Sequence, residues 1–197
     1  MDICRSKALI LLLISVFTLD CFSQNFEVRL LDDLSLQRTE TQSKNLQFVT
    51  DAADYIALGS VATQIGVGLF SKNKEITKKG LLSGVALLGT YGVGYLLKKG
   101  IDRPRPYETH PFLNNYRIED DESFPSGSTA VAFSMATSLT VNYPKWYVAV
   151  PAYGFATAVG YSRMRLAAHY PTDVLAGAAI GAGSVWVTHK LNKWIRK

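Results

Sequence analysis

The chain has 197 residues, 48% of them hydrophobic, and a formal net charge of +5 at pH 7. This length is enough for one compact domain but not comfortably for two. Its two cysteines, Cys4 and Cys21, both lie near the N-terminus, which excludes a disulfide framework in the body of the chain. The positive charge is compatible with binding to nucleic acid, to an anionic membrane or to a phosphorylated substrate. The positions of the charges along the chain must distinguish these three kinds of partner.

The first 23 residues are predicted to be a signal peptide. Arg5 and Lys7 precede the twelve-residue apolar run ALILLLISVFTL, which is too short to span a bilayer, and Ser23 offers a small residue for cleavage. Lipid attachment through Cys21 is the alternative, although the aspartate directly before it fits such a site poorly. In both cases we expect an exported chain.

Residues 24–48 are predicted to be an exported lead-in, and residues 49–197 the main domain. The lead-in has mixed charges and scattered leucines, which are typical of an exposed segment or a short surface helix. The domain contains five segments without a charged residue, at 55–70, 80–97, 126–143, 146–161 and 174–188. Their lengths lie at or just under the roughly 17 to 25 residues that cross a bilayer, so length alone fits membrane helices and buried helices of a soluble protein equally.

The charges between these segments favour a membrane protein. If the mature N-terminus lies outside, the three inner parts (SKNKEITKK, the turn with Lys145, and the tail HKLNKWIRK) are all basic, as is usual on the cytoplasmic side. A mean hydropathy of +0.08 is low for such a protein. We predict an all-α bundle of about five core helices that crosses the membrane, with a soluble periplasmic bundle as the alternative. Small residues suited to close helix approach support the membrane bundle: Gly84, Gly89, Gly92, Gly94, Ala176, Gly177, Gly181 and Gly183.

The two outer connections carry basic residues on the side where they are disfavoured, which indicates an anion-binding site there. Arg105, Arg163 and Lys98 can surround a tetrahedral oxyanion with two guanidiniums and an ammonium. The hydroxyl of Ser126 and the amide of Gly127, at the start of a helix, can complete the pocket. The charges therefore favour a membrane and a phosphorylated substrate, and we expect no nucleic-acid partner.

A histidine and an aspartate add chemistry to this site. His169 can attack phosphorus as a neutral imidazole, while Asp173 holds its other ring nitrogen. Each feature also has a plain structural interpretation: basic residues flank membrane helices, a histidine four residues before an aspartate is a common helix-surface pair, and Pro-Ser-Gly is a common turn. The acidic run at 119–122 is interpreted as a solvated loop rather than a metal site.

The spacing of these residues resembles the type 2 phosphatidic acid phosphatase family, which shares its helical fold and anion site with the vanadium-dependent haloperoxidases. The resemblance covers about residues 50–190. It implies that the five residues of the anion pocket bind the phosphoryl oxygens, that His169 forms a phosphohistidine oriented by Asp173, and that no metal or other cofactor is needed. The three motifs are KKGIDRPRP at 98–106, PSGS at 125–128 and SRMRLAAHYPTD at 162–173.

The second motif departs from the family pattern Pro-Ser-Gly-His, because Ser128 stands where the family has its general-acid histidine. A serine hydroxyl cannot protonate a leaving group near neutral pH, and losing a general acid costs roughly 10² to 10⁴ in rate. Three explanations are open: a member that binds without efficient turnover, an engineered change, or a substitute acid such as His110. A diphosphate substrate suffers least, because its leaving phosphate ester departs with little protonation.

We therefore predict a hydrolase for a lipid phosphate or diphosphate, of the phosphatidic acid, phosphatidylglycerophosphate or undecaprenyl diphosphate class. Its expected partners are the lipid substrate and the membrane, with the active site on the periplasmic or outer face. The alternatives are a catalytically inactive phospho-ligand-binding protein, a soluble nonspecific acid phosphatase and a vanadate haloperoxidase.

Overall fold

The computed structural model describes residues 26–36 and 38–195, and every regular element within these ranges is a helix. The predicted signal peptide lies outside the described residues. The first helix, α1, covers residues 26–36. The others are α2 (Glu40–Phe70), α3 (Lys74–Ile101), the one-turn α4 (Pro106–Thr109), α5 (Gly127–Asn142), α6 (Trp146–Arg165) and α7 (Pro171–Ile195).

Each of the five charge-free segments lies almost entirely within one long helix, so the prediction of a five-helix bundle is confirmed. Helices α2 and α3 begin well before their segments, at positions where polar side chains cap the helix. The Asn73 side chain accepts a hydrogen bond from the amide of Glu75 at 3.0 Å at the start of α3, and Thr39 and Gln42 form a capping box at the start of α2. The predicted limit between lead-in and domain, at residues 48 and 49, lies inside α2.

Helices α5 and α7 are in backbone contact through glycines. A Cβ atom on Gly177 would lie 2.5 Å from the carbonyl oxygen of Ser126, and one on Gly181 would overlap the carbonyl oxygen of Ala130. Only glycine permits this approach, which agrees with the prediction of small-residue packing. That prediction is wrong at four other positions, where a Cβ would meet nothing within 4 Å: Gly89, Gly92, Gly94 and Gly183.

Small residues fill the core, and many large apolar side chains face outwards. Ala53 and Ala156 are completely buried in the main core cluster, whereas the side chain of Leu88 on α3 is 72% exposed. Two parts of the described chain, Glu40–Phe70 and Lys74–Thr109, are long and apolar enough to cross a membrane by length and composition. The other three helices expected to cross do not meet this criterion, and α5 has only 16 residues.

The lead-in is a helix, as one of its two interpretations expected, but its apolar side is covered. Leu31 on α1 is completely buried against Leu113 and Tyr170 at the end of the bundle where the motifs lie. Arg38, which follows α1, donates hydrogen bonds to backbone carbonyl oxygens of Arg165 and Asn114. The segment before α2 is therefore part of the folded domain.

Candidate active site

The three sequence motifs meet at one end of the bundle. The first lies at the end of α3 and just after it, the second at the start of α5, and the third runs from the last turn of α6 to the first turn of α7. The backbone amide of Ser126 donates to the carbonyl oxygen of Asp173 at 3.0 Å. This bond and the glycine contact of Gly177 fix the second motif against the third.

His169 is held as a neutral imidazole with its Nε2 atom directed at the basic residues. Its side chain is 2% exposed, and Nδ1 lies 2.7 Å from the carbonyl oxygen of Ser123. Because a carbonyl oxygen only accepts, Nδ1 carries the proton and Nε2 keeps its lone pair, 3.4 Å from Nη1 of Arg105. Burial and the neighbouring guanidinium of Arg163 lower the pKa of His169 to about 3, so the ring is uncharged at neutral pH.

Asp173 supports His169 mainly through Ser123 rather than directly. Its Oδ2 atom lies 3.8 Å from Nδ1 of His169, too far for the hydrogen bond that the sequence predicted. That oxygen instead accepts hydrogen bonds from the hydroxyl of Ser123 at 2.6 Å and from the amide of Tyr170 at 3.0 Å. Ser123 thus contacts both members of the pair, through its carbonyl and its hydroxyl.

Two further residues, which the sequence reasoning did not assign, hold Asp173 in place. Nη1 of Arg103 lies 2.5 Å from Oδ1 of Asp173, and its guanidinium stacks 3.8 Å from the ring centre of Tyr170. Nη2 of Arg103 lies 3.1 Å from Oε2 of Glu27 on α1, whose other oxygen accepts from the amide of Thr172 at 2.9 Å. Arg103 stands inside the first motif and could have been suspected, but nothing in the sequence connects Glu27 to it.

The three predicted phosphate-binding cations come together, and we call Lys98, Arg105 and Arg163 the cation clamp. Each is paired with residues 119–122, the acidic loop. Nη1 of Arg163 lies 3.0 Å from Oε1 of Glu119, and Nζ of Lys98 lies 3.0 Å from Oδ2 of Asp121. Arg105 pairs with both carboxylates. The interpretation of this run as merely solvated is therefore wrong, because Glu119 and Asp121 form ion pairs with the three cations of the clamp.

The acidic loop stays ionised against the clamp at neutral pH. Burial raises the pKa of Glu119, but the guanidiniums of Arg163 and Arg105 outweigh it and hold that pKa below its usual range. Burial also raises the pKa of Asp121, but Lys98 and Arg105 outweigh this effect and hold that pKa below its usual range. Nε of Arg163 is buried and has no hydrogen-bond partner among the described residues, so it can donate to a further oxygen atom.

The Pro-Ser-Gly-Ser turn supplies the start of α5. Ser126 is completely buried and its hydroxyl lies 2.8 Å from that of Thr129. Gly127 and Ser128 are half-buried in the first turn of the helix, where backbone amides lack intrahelical acceptors and favour an anion. Within the described part of the chain, the Ser128 hydroxyl makes no hydrogen bond.

His110 is not brought to this turn. Its Nδ1 atom lies 2.8 Å from the hydroxyl of Thr109, and its ring packs edge-on against Phe112. It borders a cavity of about 540 Å³ that Val28 and Arg29 of α1 also line. The suggestion that His110 replaces the missing acid therefore gains no support from the geometry.

A neutral, buried histidine beside three convergent cations is an arrangement that can bind an oxyanion and can attack a phosphoryl group. The model of the PAP2 superfamily matches residues 79–197. The chain belongs to the PAP2 superfamily.

Two curated relatives are similar over part of their length. The lipid A 1-phosphatase of Rhizobium johnstonii is 36% identical over 95 residues, which are 44% of this chain and 37% of the relative. The undecaprenyl-diphosphatase BcrC of Bacillus subtilis is 26% identical over 133 residues, 68% of this chain and 66% of the relative. The matched region therefore covers less than two thirds of either relative.

Two solved structures share the fold over most of the chain. A transmembrane PAP2-type phosphatidylglycerolphosphate phosphatase from Bacillus subtilis has a TM-score of 0.72 and 26% identity, covering 87% of each chain. LpxE of Aquifex aeolicus has a TM-score of 0.69 and 25% identity, covering 84% of this chain and 95% of that one. These likenesses and the two apolar helices support a membrane location.

Proposed function

We propose that the chain is a phosphatase that hydrolyses a lipid phosphate or diphosphate at the outer face of the membrane. The observation that carries this proposal is the position of His169, whose unprotonated Nε2 faces Arg105 of the cation clamp at 3.4 Å. A phosphoryl group bound by the clamp would present its phosphorus to that lone pair. The names of the relatives, which include lipid A 1-phosphatase and undecaprenyl-diphosphatase, support a phosphorylated lipid as substrate.

The first step transfers the phosphoryl group to His169. Phosphoryl oxygens displace the acidic loop from the clamp, and Nε2 forms a bond to phosphorus while the bond from phosphorus to the leaving oxygen breaks. The leaving oxygen keeps the electron pair. The positive charge on the ring is stabilised by the carbonyl of Ser123 at 2.7 Å and by Asp173 at 3.8 Å.

The second step regenerates the histidine. Water attacks phosphorus, the bond from Nε2 to phosphorus breaks, and inorganic phosphate leaves with one water proton released. Nε2 recovers its lone pair, and Nδ1 keeps its proton because it still faces the Ser123 carbonyl. The clamp stabilises the same oxygens in both steps.

The leaving group determines how much Ser128 limits the rate. A lipid alkoxide needs a proton as it departs, and Ser128, which cannot supply one near neutral pH, stands where the family pattern has its histidine. The leaving group of a diphosphate is a phosphate ester, which departs as an anion with little protonation. We therefore propose a lipid diphosphate as the substrate that this site turns over best.

A second candidate function is phospho-ligand binding without turnover. Ser128 is the observation that favours it, because the clamp and the start of α5 are present while the general acid is not. Such a protein would bind phosphate and phosphorylated lipids but release no phosphate.

Phosphate release by the wild type and by Ser128→His separates the two functions. For a phosphatase, we expect the variant to gain roughly 10² to 10⁴ in rate on phosphatidic acid and much less on undecaprenyl diphosphate. Ser128→Ala is the control and should behave like the wild type. If neither the wild type nor Ser128→His releases phosphate while both bind it, the chain is a binding protein. Trapping of ³²P on His169 would exclude a binding protein without turnover.

A further inference from the structure

A second cavity, of about 660 Å³, lies at the end of the bundle opposite the active site. The start of α3 and the ends of α5 and α7 surround it. Its volume is in the usual range for small-molecule sites. We call it the basic cavity, and its polar lining residues are Glu75, Lys78, Lys79, Asn142, His189, Asn192 and Lys193.

The cations of this cavity are not neutralised, in contrast to those of the cation clamp. Among the described residues, no carboxylate oxygen lies within 4.0 Å of the ammonium group of Lys78, Lys79 or Lys193. Lys78 and Lys79 are half-buried, and Glu75 is the single acidic residue in the lining. The cavity therefore has a net positive charge and is suited to an anion.

One wall of the cavity carries a buried polar atom that an anion can satisfy. Nε2 of His189 is buried and has no hydrogen-bond partner within the described chain. A buried polar atom without a hydrogen bond costs free energy, so a partner for this nitrogen would stabilise the protein. In the tautomer that carries the proton on Nε2, His189 can donate to an oxyanion or to its bound water held by the lysines.

Hydrogen bonds and a cation–π contact between helices hold the residues at the base of the cavity in place. The buried amide of Asn142 at the end of α5 donates to Oε1 of Gln64 at 3.0 Å and to the hydroxyl of Ser83 at 3.0 Å. Lys79 is positioned over the ring of Tyr143, with Nζ 5.0 Å from its centre. These contacts join α2, α3 and α5, so the site needs little rearrangement to bind.

Exposed aromatic side chains at this end of the bundle indicate that the cavity faces the headgroup region of a membrane. Trp146 and Tyr147 at the start of α6, and Trp194 at the end of α7, are 77%, 60% and 75% exposed at this end of the bundle. Exposed aromatic residues at helix ends mark the boundary between membrane and water. Two apolar residues, Leu82 and Val141, line the cavity beside the lysines, which suits a ligand with a charged head and an apolar chain.

We propose that the basic cavity binds the phosphodiester headgroup of an anionic phospholipid as a non-substrate ligand. Basic pockets between membrane helices bind such headgroups. The site is separated from His169 by the length of the bundle, so its ligand is not the substrate and the proposal holds whether or not the chain is a phosphatase.

Binding can be measured as the shift in the midpoint of thermal unfolding of the full chain in a neutral detergent. The probes are short-chain phosphatidylglycerol, phosphatidylcholine of the same chain length, and inorganic phosphate. The variant is Lys78→Gln/Lys193→Gln, and the control is Lys72→Gln/Lys74→Gln, which changes the same charge at the same end outside the cavity. We expect phosphatidylglycerol to stabilise the wild type, and its apparent affinity to fall roughly 30-fold in the variant and little in the control.

Each other result has a defined meaning. The proposal would be overturned if phosphatidylcholine stabilised the protein as much as phosphatidylglycerol does. It would also be overturned if the variant and the control lost the same affinity for phosphatidylglycerol. A third contrary result is that inorganic phosphate competes with phosphatidylglycerol while Lys78→Gln/Lys193→Gln leaves the binding of phosphate unchanged. Because inorganic phosphate is also expected at the cation clamp, a second saturable phosphate site that the same variant removes would support the anion site and identify free phosphate as a ligand of the basic cavity. If the double variant does not fold, Lys193→Gln alone, on an exposed residue, should weaken phosphatidylglycerol binding roughly fivefold.

Discussion

Replacing Glu119 by glutamine is expected to strengthen the binding of inorganic phosphate to the cation clamp. Its carboxylate lies 3.0 Å from Nη1 of Arg163 and 3.7 Å from Nη2 of Arg105, so a bound phosphate must displace it from two of the three cations. Glutamine keeps the shape and one neutral hydrogen bond but loses the charge. The glutamine side chain therefore competes less strongly than the carboxylate with phosphate for Arg163 and Arg105.

The size of the effect follows from the bond that is weakened. A hydrogen bond to a charged group contributes about 1.5–3 kcal/mol and a neutral one about 0.5–1.5 kcal/mol. The difference of about 1–1.5 kcal/mol corresponds to roughly 5- to 13-fold tighter phosphate binding. The full Coulomb energy, about 5 kcal/mol at this separation and an effective dielectric constant of about 20, is not realised, because the displaced carboxylate regains its hydration.

Isothermal titration of the detergent-solubilised protein with inorganic phosphate measures this change. The matched control is Asp120→Asn, which removes the same charge from the neighbouring position, where the side chain is exposed and has no ion pair within the described chain. Its dissociation constant should stay within about twofold of the wild type. If Glu119→Gln binds phosphate no more tightly than Asp120→Asn, the competition is refuted. Weaker binding would mean that Glu119 supports the arginines instead.

Three other predictions concern the packing, the support of the nucleophile and pH. Gly181→Ala should destabilise the fold by about 1–3 kcal/mol in thermal unfolding, because its Cβ would overlap a carbonyl oxygen of α5, whereas Gly183→Ala, with open space, should change stability by less than about 1 kcal/mol. Ser123→Ala removes the 2.6 Å hydrogen bond to Asp173 and should lower kcat roughly 5- to 30-fold in single-turnover assays with little effect on KM. The pKa of Glu119 lies below its usual range, so the side chain is ionised at and above the usual carboxyl pKa. Glu119 therefore competes fully with phosphate there, and the competition is lost only as pH falls through the lowered pKa. The ratio of phosphate dissociation constants for wild type and Glu119→Gln should therefore stay constant from pH 7 to pH 5, and a ratio that reaches one in that interval would contradict the prediction.

The helices and the cation clamp could be predicted because their signals are local. Stretches without charges identify the cores of α2, α3, α5, α6 and α7. The basic residues at their ends, with the spacing around Pro125 and His169, identify the side on which an anion binds. Gly177 and Gly181 belong to a visible small-residue pattern, although the same pattern at Gly89 reflects no close contact.

The contacts that complete the site could not be predicted, because each depends on how distant segments fold back. The bond from His169 to the Ser123 carbonyl involves a backbone atom, and backbone acceptors have no signature in the sequence. The acidic run next to the second motif has the composition of a solvated loop, and its return to Arg105 and Arg163 becomes visible only in three dimensions. Glu27 lies 76 residues from its partner Arg103.

The backbone bond from Ser126 to the carbonyl of Asp173 has a consequence for how the family can diversify. With α5 and α7 joined by that bond and by Gly177 and Gly181, a change of length in either motif would pull the anion pocket away from the nucleophile. Residues 115–118 of the connection between α4 and α5, which precede the acidic loop, are mostly exposed and make no such backbone contact with a helix of the described chain. Natural variation in substrate choice is therefore expected to accumulate as insertions and replacements in that connection, while the spacing inside the two motifs stays fixed.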